Sequence, residues 1–240
     1  MENKLGTLYL LPCPIADDGD VWEVLPAKNR EVMASLDYFI VENTRSARRF
    51  LSKCRLGLSI EELEFRELNE HTVAGHEVEA LIEPLLKGRS AGVISEAGVP
   101  GVADPGALVV ELCHRRGIRV VPLVGPSSIL MAVMASGLNG QSFAFNGYLP
   151  VKPPERARAI RHLEHRALSE RQSQLFIEAP YRNLKLVEQL LEVCRSETRL
   201  TIALDLTASG EFVQTHTIAE WRRLKLPDLQ KRPAIFILGI

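Results

Sequence analysis

The amino-acid sequence predicts an α/β protein made of two α/β domains with mostly parallel sheets. The first observation is that short apolar runs, typical of buried strands, alternate with longer runs of helical periodicity. The second is the length, because 240 residues suit one large domain or two small ones. The third is a Gly-Pro-Ser-Ser turn that begins at Gly125, after the fifth apolar run. We therefore place the domain boundary between residues 1–124 and residues 125–240.

The first half alternates five strands with helices. The predicted strands lie at residues 6–11, 38–41, 65–68, 91–94 and 118–121. The predicted helices lie at residues 26–36, 45–55, 76–87 and 107–113. Pro84 is expected to bend its helix or end it early, since proline lacks an N–H. Asp104 is a good N-cap for the last of these helices, with Pro105 in its first turn.

The second half continues the alternation but ends on strands. Its predicted strands lie at residues 142–146, 173–177, 199–205, 211–216 and 234–238. Its predicted helices lie at residues 126–135, in the basic segment 152–171, and after the turn at residues 178–182. The strand at residues 211–216 is predicted to be the antiparallel neighbour of the strand before it.

The composition is that of an ordinary globular protein. Apolar residues make up 46% and charged residues 25% of the chain. The net charge is −1, so the protein as a whole has no positive charge that would attract nucleic acid. No apolar run approaches the roughly 20 residues of a membrane span, and no signal peptide is visible. Four scattered cysteines without CxxC spacing argue against a zinc site and a disulfide framework. We expect a cytoplasmic protein with no metal and no membrane contact.

Several common catalytic and nucleotide-binding patterns are missing from the sequence. It has no GxGxxG, no GxxxxGK[ST], no GxSxG and no HExxH. These absences argue against a dinucleotide fingerprint, a P-loop, a serine-hydrolase elbow and a metalloprotease helix. His162 and His165 lie one turn apart on a basic helix, where they are expected to be solvated.

The stretch at residues 95–106 follows a buried strand and contains three glycines and two prolines. Glycine lets a ligand approach bare backbone, and proline keeps a loop in one shape. Twelve residues is long for such a loop, which typically has about 2–6. Similar Pro/Gly loops follow the strands that end near Leu11, Val124 and Ile177. Because parallel strands place these loops at one edge, a cleft between the two halves would suit a small ligand with many hydrogen-bonding groups.

Six segments together resemble the tetrapyrrole methylase family, and within it the branch that methylates a cytidine 2′-hydroxyl in small-subunit ribosomal RNA. They are residues 6–10 with Pro14-Ile15, 95–106, 125–127, 135–138, 147–150 and 178–182. Their order and spacing match over about residues 5–220, which makes the resemblance specific. It implies two α/β domains, S-adenosylmethionine in the cleft between them, a homodimer and no metal.

The resemblance also implies which residues line the cofactor site. They are Pro14, Ser95, Glu96, Ala97, Gly98, Val99, Pro100, Gly125, Pro126, Ser127 and Ser128. A hydroxyl nucleophile must lose a proton, so a carboxylate within hydrogen-bond reach is expected. We choose Glu96 as this base. Asp104 could instead serve only as a helix cap, and Glu42 could simply pair with Arg45.

Cations are the candidates for substrate binding. Arg45 and Arg48 lie on the first basic helix, and Arg182 could hold a phosphate or the cofactor carboxylate or be an ordinary surface residue. If the acceptor is RNA, we expect it to dock on two local clusters, since the net charge is near zero. The clusters are Arg45-Arg48-Arg49 and Arg156-Arg158-Arg161. The alternative is that both basic runs are solvated helix faces.

The sequence departs from the ribosomal branch in four places. Ala16-Asp17 replaces Gly-Asn, and Asn43-Thr44-Arg45 replaces Asp-Thr-Arg. Residues 204–208 read Leu-Asp-Leu-Thr-Ala instead of Arg-Glu-Leu-Thr-Lys. The branch also usually carries an extra C-terminal segment, which has no counterpart in the sequence up to Ile240. Three hypotheses follow: an RNA 2′-O-methyltransferase, a methyltransferase acting on a tetrapyrrole or another small molecule, and a non-catalytic S-adenosylmethionine-binding protein.

Overall fold

The computed structural model describes residues 4–68 and 76–240. The connection that begins at Asn69 and Glu70 and contains His71 lies outside the described residues. The chain divides into two compact units, Met1–Ser127 and Ser128–Ile240. The predicted boundary lay three residues earlier, after Val124.

The first unit contains a five-stranded sheet in which every pair of neighbours is parallel, in the order β3-β2-β4-β1-β5. Its strands are β1 (Thr7–Leu11), β2 (Tyr38–Val41), β3 (Glu64–Glu67), β4 (Ala91–Ile94) and β5 (Arg119–Pro122). Its helices are α1 (Val21–Val24), α2 (Ala27–Ala34), α3 (Thr44–Lys53), α4 (His76–Leu86) and α5 (Gly106–Arg115). All five predicted strands are confirmed, within a residue or two at their ends.

Helices cover both faces of this sheet, which is why β2 and β4 are apolar throughout. Alternate side chains of β2 point to opposite faces. Ile40 packs into the core formed with α4 and α5, whereas Phe39 and Val41 pack into the core formed with α2 and α3. The alternation places one hydrophobic core on each side of the sheet.

Two helices of the first unit differ from their predictions for local reasons. The short helix α1 was not predicted, and it begins at Asp20, whose carboxylate accepts a hydrogen bond from the Trp22 backbone N–H at 3.0 Å. Pro84 lies inside α4, which ends two residues later at Leu86. A proline in the last turn removes only one helical hydrogen bond, so the helix tolerates it.

The second unit contains another five-stranded sheet, in the order β6-β7-β10-β8-β9. Its strands are β6 (Phe143–Tyr148), β7 (Ser173–Ile177), β8 (Arg199–Leu204), β9 (Phe212–Thr217) and β10 (Ala234–Gly239). Its helices are α6 (Ser128–Ser136), α7 (Pro153–Ser169), α8 (Asn183–Val193) and α9 (Ile218–Trp221), with a 3₁₀ turn at Pro180–Arg182 before α8. The α/β fold class and the predicted strands are confirmed.

The second sheet is mixed, whereas sequence analysis expected mostly parallel pairing throughout. Strands β6 and β7 are parallel, but β10 runs antiparallel to both of its neighbours, β7 and β8. Strands β8 and β9 are antiparallel, as predicted. The connection at residues 205–211 is too short for the helical crossover that a parallel pair needs, so the chain turns back on itself.

The core of the second unit also lies on both faces of its sheet. Side chains of α7, α8 and α9 pack on one face, where the rings of Phe176 and Phe236 stack with centroids 6.0 Å apart. Helix α6 packs on the other face through Ala132. Trp221 is buried and donates its indole N–H to the Leu200 carbonyl oxygen at 2.8 Å.

All four cysteines are buried and unpaired. Burial raises the pKa of Cys54 and Cys194 to about 12 and that of Cys113 to about 11, and it raises the pKa of Cys13 further. Because the thiolate is the reactive form, we expect Ellman's reagent to label no thiol of the native protein at mildly alkaline pH. All four should react in concentrated guanidinium. Rapid labelling of the native protein would contradict this burial.

Within the two described ranges, no helix is both long and apolar enough to cross a membrane. Over the same residues, no group of three or more His, Cys, Asp or Glu side chains could hold a metal ion.

Candidate active site

The loops that follow β1 and β4 are joined to each other by backbone hydrogen bonds. The Cys13 N–H donates to the Gly98 carbonyl oxygen at 2.8 Å, and the Gly98 N–H donates to the Cys13 carbonyl oxygen at 3.2 Å. Gly98 has φ of +71°, a conformation that residues with a Cβ seldom adopt. The two loops therefore form one rigid unit at the carboxyl edge of the first sheet.

The loop that follows β5 packs against the other two. A Cβ atom built on Gly125 would lie 2.2 Å from Cβ of Pro12, so only glycine fits at this position. A Cβ atom built on Gly98 would lie 3.5 Å from the Pro126 carbonyl oxygen. The buried amide of Asn29 donates to the Val124 carbonyl oxygen at 2.9 Å and anchors this third loop. Three of the predicted Pro/Gly loops thus converge within the first unit.

The strand order puts this convergence where open α/β sheets bind ligands. The neighbouring strands β1 and β4 send their connections in opposite directions, β1 towards β2 and β4 towards β5. Such a topological switch point leaves space outside the carboxyl ends of the strands. The predicted cofactor residues Pro14, 95–100 and 125–127 lie in the three loops at this edge, and Ser128 is the first residue of α6.

Two carboxylates lie at the ends of neighbouring strands in this sheet. Glu96 follows β4 and is exposed, whereas Glu42 follows β2 and is half-buried. The Glu96 backbone N–H donates to Oε2 of Glu42 at 3.3 Å. Glu42 therefore helps to hold the backbone of Glu96, and the Glu96 side chain extends from that backbone at the exposed edge.

Asp104 holds the loop together and helps to begin α5. Its Oδ2 accepts from the Gly101 N–H at 2.7 Å and its Oδ1 from the Gly106 N–H at 2.6 Å. The N-cap position itself belongs to Pro105, one residue later than predicted, because the carboxylate reaches Gly106 from outside the helix. Burial raises the pKa of Asp104, while backbone hydrogen bonds from Gly106, Gly101 and Val102 oppose that rise. Both oxygens are engaged, which favours the structural role.

Replacing Asp104 with alanine is expected to lower the free energy of unfolding by about 2 kcal/mol, because two backbone N–H groups lose a charged acceptor. Asp17→Ala is a suitable control. Asp17 pairs with Arg49 and Lys53, but its side chain is 75% exposed, so its removal should cost less than about 1 kcal/mol. Urea unfolding measures both effects. Equal losses in the two variants would contradict the role assigned to Asp104.

The first basic helix is α3, and its cations differ in their surroundings. The Arg48 guanidinium lies 5.3 Å from the centroid of the Phe65 ring. Arg49 donates to Asp17 at 2.8 Å, so it belongs to an ion pair. Arg45 is exposed, and within the described residues it has no hydrogen-bond or ion-pair partner. Arg45 and Arg48 remain predicted substrate contacts.

The second predicted cluster loses one member. Arg156 is buried, 5% exposed, and its side chain bonds to Gln189 and lies 4.0 Å from Glu178. The prediction that Arg156 contacts RNA phosphates is therefore wrong, because residues that pack against α8 turn it inward. Arg158 and Arg161 are exposed on the same helix, as are His162 and His165.

Arg182 is not an ordinary surface residue. Its Nε and Nη2 donate to Oε1 of the buried Glu178 at 2.9 Å and 2.6 Å. Its guanidinium is thus already paired, and the role of a phosphate or carboxylate ligand stays a prediction. Sequence reasoning missed the buried Arg156–Glu178–Arg182 arrangement, because nothing in the spacing of these residues shows that α7 folds over the end of β7.

Comparison with known proteins gives a consistent result. The family described as Tetrapyrrole (Corrin/Porphyrin) Methylases matches residues 21–221. A Vibrio cholerae protein named Ribosomal RNA small subunit methyltransferase I is 34% identical over 92% of this chain and 72% of its own length. A Xylella fastidiosa protein of the same name is 31% identical over 97% of this chain and 80% of its own length.

Solved structures share the fold at low sequence identity. The methyltransferase CobJ has a TM-score of 0.61 and 16% identity, covering 98% of this chain and 94% of its own. Uroporphyrin III C-methyl transferase from Thermus thermophilus has a TM-score of 0.56 and 17% identity, covering 98% and 97%. With the family match over most of the sequence, these comparisons lead to one conclusion: the chain belongs to the tetrapyrrole methylase family and is a methyltransferase.

Proposed function

We propose that this protein transfers the methyl group of S-adenosylmethionine to a ribose 2′-hydroxyl of small-subunit ribosomal RNA. The observation that carries the proposal is the similarity to curated relatives. Eight of them, 28–34% identical over 86–99% of this chain, are all named Ribosomal RNA small subunit methyltransferase I. The position of the methyl group on the ribose is the expectation drawn from the sequence motifs.

The methylase family generally uses S-adenosylmethionine, and we propose that the three converging loops of the first unit hold it. The absence of a side chain at Gly98 and Gly125 lets these loops pack closely on Cys13 and Pro12, and so fixes the backbone that would face the ligand. The adenosine and methionine parts of the cofactor present many hydrogen-bonding groups, which suit exposed backbone. Its sulfonium is positively charged, and the carboxylates of Glu42 and Glu96 provide the complementary charge at this edge.

The proposed reaction depends on alignment and on the removal of one proton. Bound S-adenosylmethionine supplies a methyl group that is open to in-line attack by the ribose oxygen. The rigid loops contribute by fixing the direction of approach, which can supply several kcal/mol of the barrier. Glu96 accepts the proton of the 2′-hydroxyl, and its exposed position leaves room for a large substrate.

A small-molecule methyl acceptor stays open as the alternative, because two of the arginines predicted to bind RNA are buried or ion-paired. Arg156 is buried and Arg49 is ion-paired, so the predicted RNA clusters offer fewer available cations than the sequence suggested. A tetrapyrrole or another small molecule would need no such clusters. The experiment therefore includes both acceptors. Homodimer formation, also a proposal, can be measured by light scattering of the eluting protein.

The deciding experiment uses S-adenosylmethionine with a tritiated methyl group. Small ribosomal subunits from a strain without the related methyltransferase are offered in parallel with a precorrin-containing extract. Label in ribosomal RNA, recovered in dinucleotides that resist alkali, supports the proposal. Label found only in the extract would mean that the methyl acceptor is a small molecule and not ribosomal RNA.

Cofactor binding is tested separately by thermal unfolding. A ligand that binds only the folded state stabilises it by about 2.7 kcal/mol at a hundredfold excess over Kd, which corresponds to roughly 5–10 °C for a chain of this size. Absence of a shift with both S-adenosylmethionine and its demethylated product would contradict the binding proposal.

A further inference from the structure

Two tyrosines of the second unit are exposed beyond neighbouring parallel strands. Tyr148 is the last residue of β6 and is 64% exposed, and Tyr181 follows β7 in the 3₁₀ turn and is 70% exposed. Tyr148 lies opposite Ile177, the last residue of β7. The two rings therefore lie at the same edge of the sheet, where each offers an exposed aromatic surface.

A bulge in β6 sets the position of Tyr148. The pairing of β6 with β7 shifts register between Phe145 and Tyr148, and Gly147 has φ of +63°. The side-chain amide of Asn146 donates to the carbonyl oxygens of Ala144 and Leu175, both at 3.1 Å. It thus provides hydrogen bonds to backbone carbonyl groups next to the register shift. Bulges redirect side chains and are common next to functional sites.

The side chain of Tyr181 is held by its neighbour. Nη1 of Arg182 donates to the Tyr181 hydroxyl oxygen at 2.7 Å, and the guanidinium carbon lies 5.0 Å from the ring centroid. Arg182 is in turn fixed by two hydrogen bonds to Glu178, whose side chain is fully buried. A ring that is fixed in this way loses little conformational entropy when another planar group stacks on it.

The surroundings carry an excess of positive charge. Two guanidinium groups, Arg156 and Arg182, flank the single carboxylate of Glu178. Oε2 of Glu178 accepts no hydrogen bond from any described residue. Hydrogen bonding to Glu178 raises the pKa of Arg182. The cluster thus keeps a fixed cation beside two exposed rings, an arrangement that complements a polyanion with planar bases.

We propose that Tyr148, Tyr181 and Arg182 form a platform on which unpaired bases of the ribosomal RNA substrate stack. This inference rests on the proposed function and adds the part of the protein that binds the RNA. Proteins bind single-stranded RNA by stacking splayed-out bases on aromatic rings and on guanidinium planes. Charge complementarity favours RNA over a second copy of this chain, because an interface between copies would bury the same cation against its own duplicate.

The test measures the binding of a short, fluorescently labelled, single-stranded oligoribonucleotide of mixed sequence. Each of Tyr148→Ala and Tyr181→Ala should weaken binding about tenfold or more. Tyr148→Phe should bind normally, and Tyr181→Phe, which keeps the ring but loses its hydrogen bond to Arg182, should fall between the wild type and Tyr181→Ala. The dependence of binding on salt should not change, because no phosphate contact is removed. Leu224→Ala, which removes another exposed apolar side chain of the second unit, should have no effect.

An oligonucleotide of the same length that lacks its bases serves as the second probe. It should bind the wild type and both alanine variants equally weakly. Equal binding of the normal oligonucleotide by the wild type and the double alanine variant would overturn the platform. So would conversion of a wild-type dimer into a monomer by these substitutions, which would assign the surface to an interface between copies.

Labelling of ribosomal RNA by the wild-type protein separates the two proposals. If the wild type labels the RNA and the double variant labels it equally well, the platform is wrong and the proposed function stands. If the wild type labels no ribosomal RNA at any concentration, the proposed function is wrong, and the ribosomal RNA platform falls with it. The thermal shift with S-adenosylmethionine should be the same in all variants.

Discussion

Replacing Gly98 with valine is expected to abolish S-adenosylmethionine binding while the protein stays folded. The N–H and the carbonyl oxygen of Gly98 are both hydrogen-bonded to the backbone of Cys13, so Gly98 cannot move without breaking two hydrogen bonds. A Cβ atom at this position would lie 3.5 Å from the Pro126 carbonyl oxygen, and the two methyl groups of valine would extend into the space between the loops. The φ of +71° adds a strain of about 1–2 kcal/mol for a residue with a Cβ.

A matched control for this variant is Gly57→Val. Gly57 has a similar φ of +77°, and no atom lies within 4 Å of a Cβ atom built there. Both variants should therefore lose similar stability in urea unfolding, but only Gly98→Val should lose the heat of cofactor binding in a calorimetric titration. Normal affinity in a folded Gly98→Val protein would place the cofactor outside the converging loops.

Replacing Glu96 with glutamine is expected to lower kcat by about 10²–10⁴-fold, the usual contribution of a general base. Glutamine keeps the size of the side chain and its hydrogen-bonding atoms but cannot accept the hydroxyl proton at neutral pH. The affinity for S-adenosylmethionine should fall much less than kcat, because Glu42 still supplies a carboxylate at this edge and the backbone of the loop is held by other bonds. Single-turnover methyl transfer to ribosomal RNA gives the rate, and calorimetry gives the affinity.

Glu42→Gln is the informative comparison, since Glu42 bonds to the backbone N–H of Glu96. If Glu96 is the base, Glu42→Gln should lower kcat only modestly, whereas Glu96→Gln should show the full loss. The reverse pattern would transfer the role to Glu42, the alternative that the sequence left open.

The pattern of apolar residues located the strands and the longer helices of this fold, but it missed the four-residue helices α1 and α9. The strands at residues 38–41 and 91–94 begin and end where the apolar runs predicted, because a strand buried on both faces leaves a continuous apolar run. Glycine and proline marked the loops for an equally local reason. Gly98 and Gly125 lie in conformations or contacts that a side chain would prevent.

Some of the site could be predicted because parallel strands bring their carboxyl ends to one edge. The loops after β1, β4 and β5 were expected together on that ground, and their backbone contacts follow it. The sequence could also nominate Glu96, Glu42 and Asp104 as carboxylates in the right loops. It could not choose among them, because the choice depends on which oxygen atoms are already engaged by backbone N–H groups.

The sequence by itself therefore determined the strands, the longer helices and the glycine- and proline-rich loops that follow the strands. The tertiary structure alone decided which distant segments pair, as with Cys13 and Gly98, and that β10 inserts antiparallel between β7 and β8. It also decided that Arg156 is buried beside Glu178 rather than exposed. Periodicity records whether a segment is buried, but pairing and ion-pair partners depend on three-dimensional packing between segments that the order of residues does not specify.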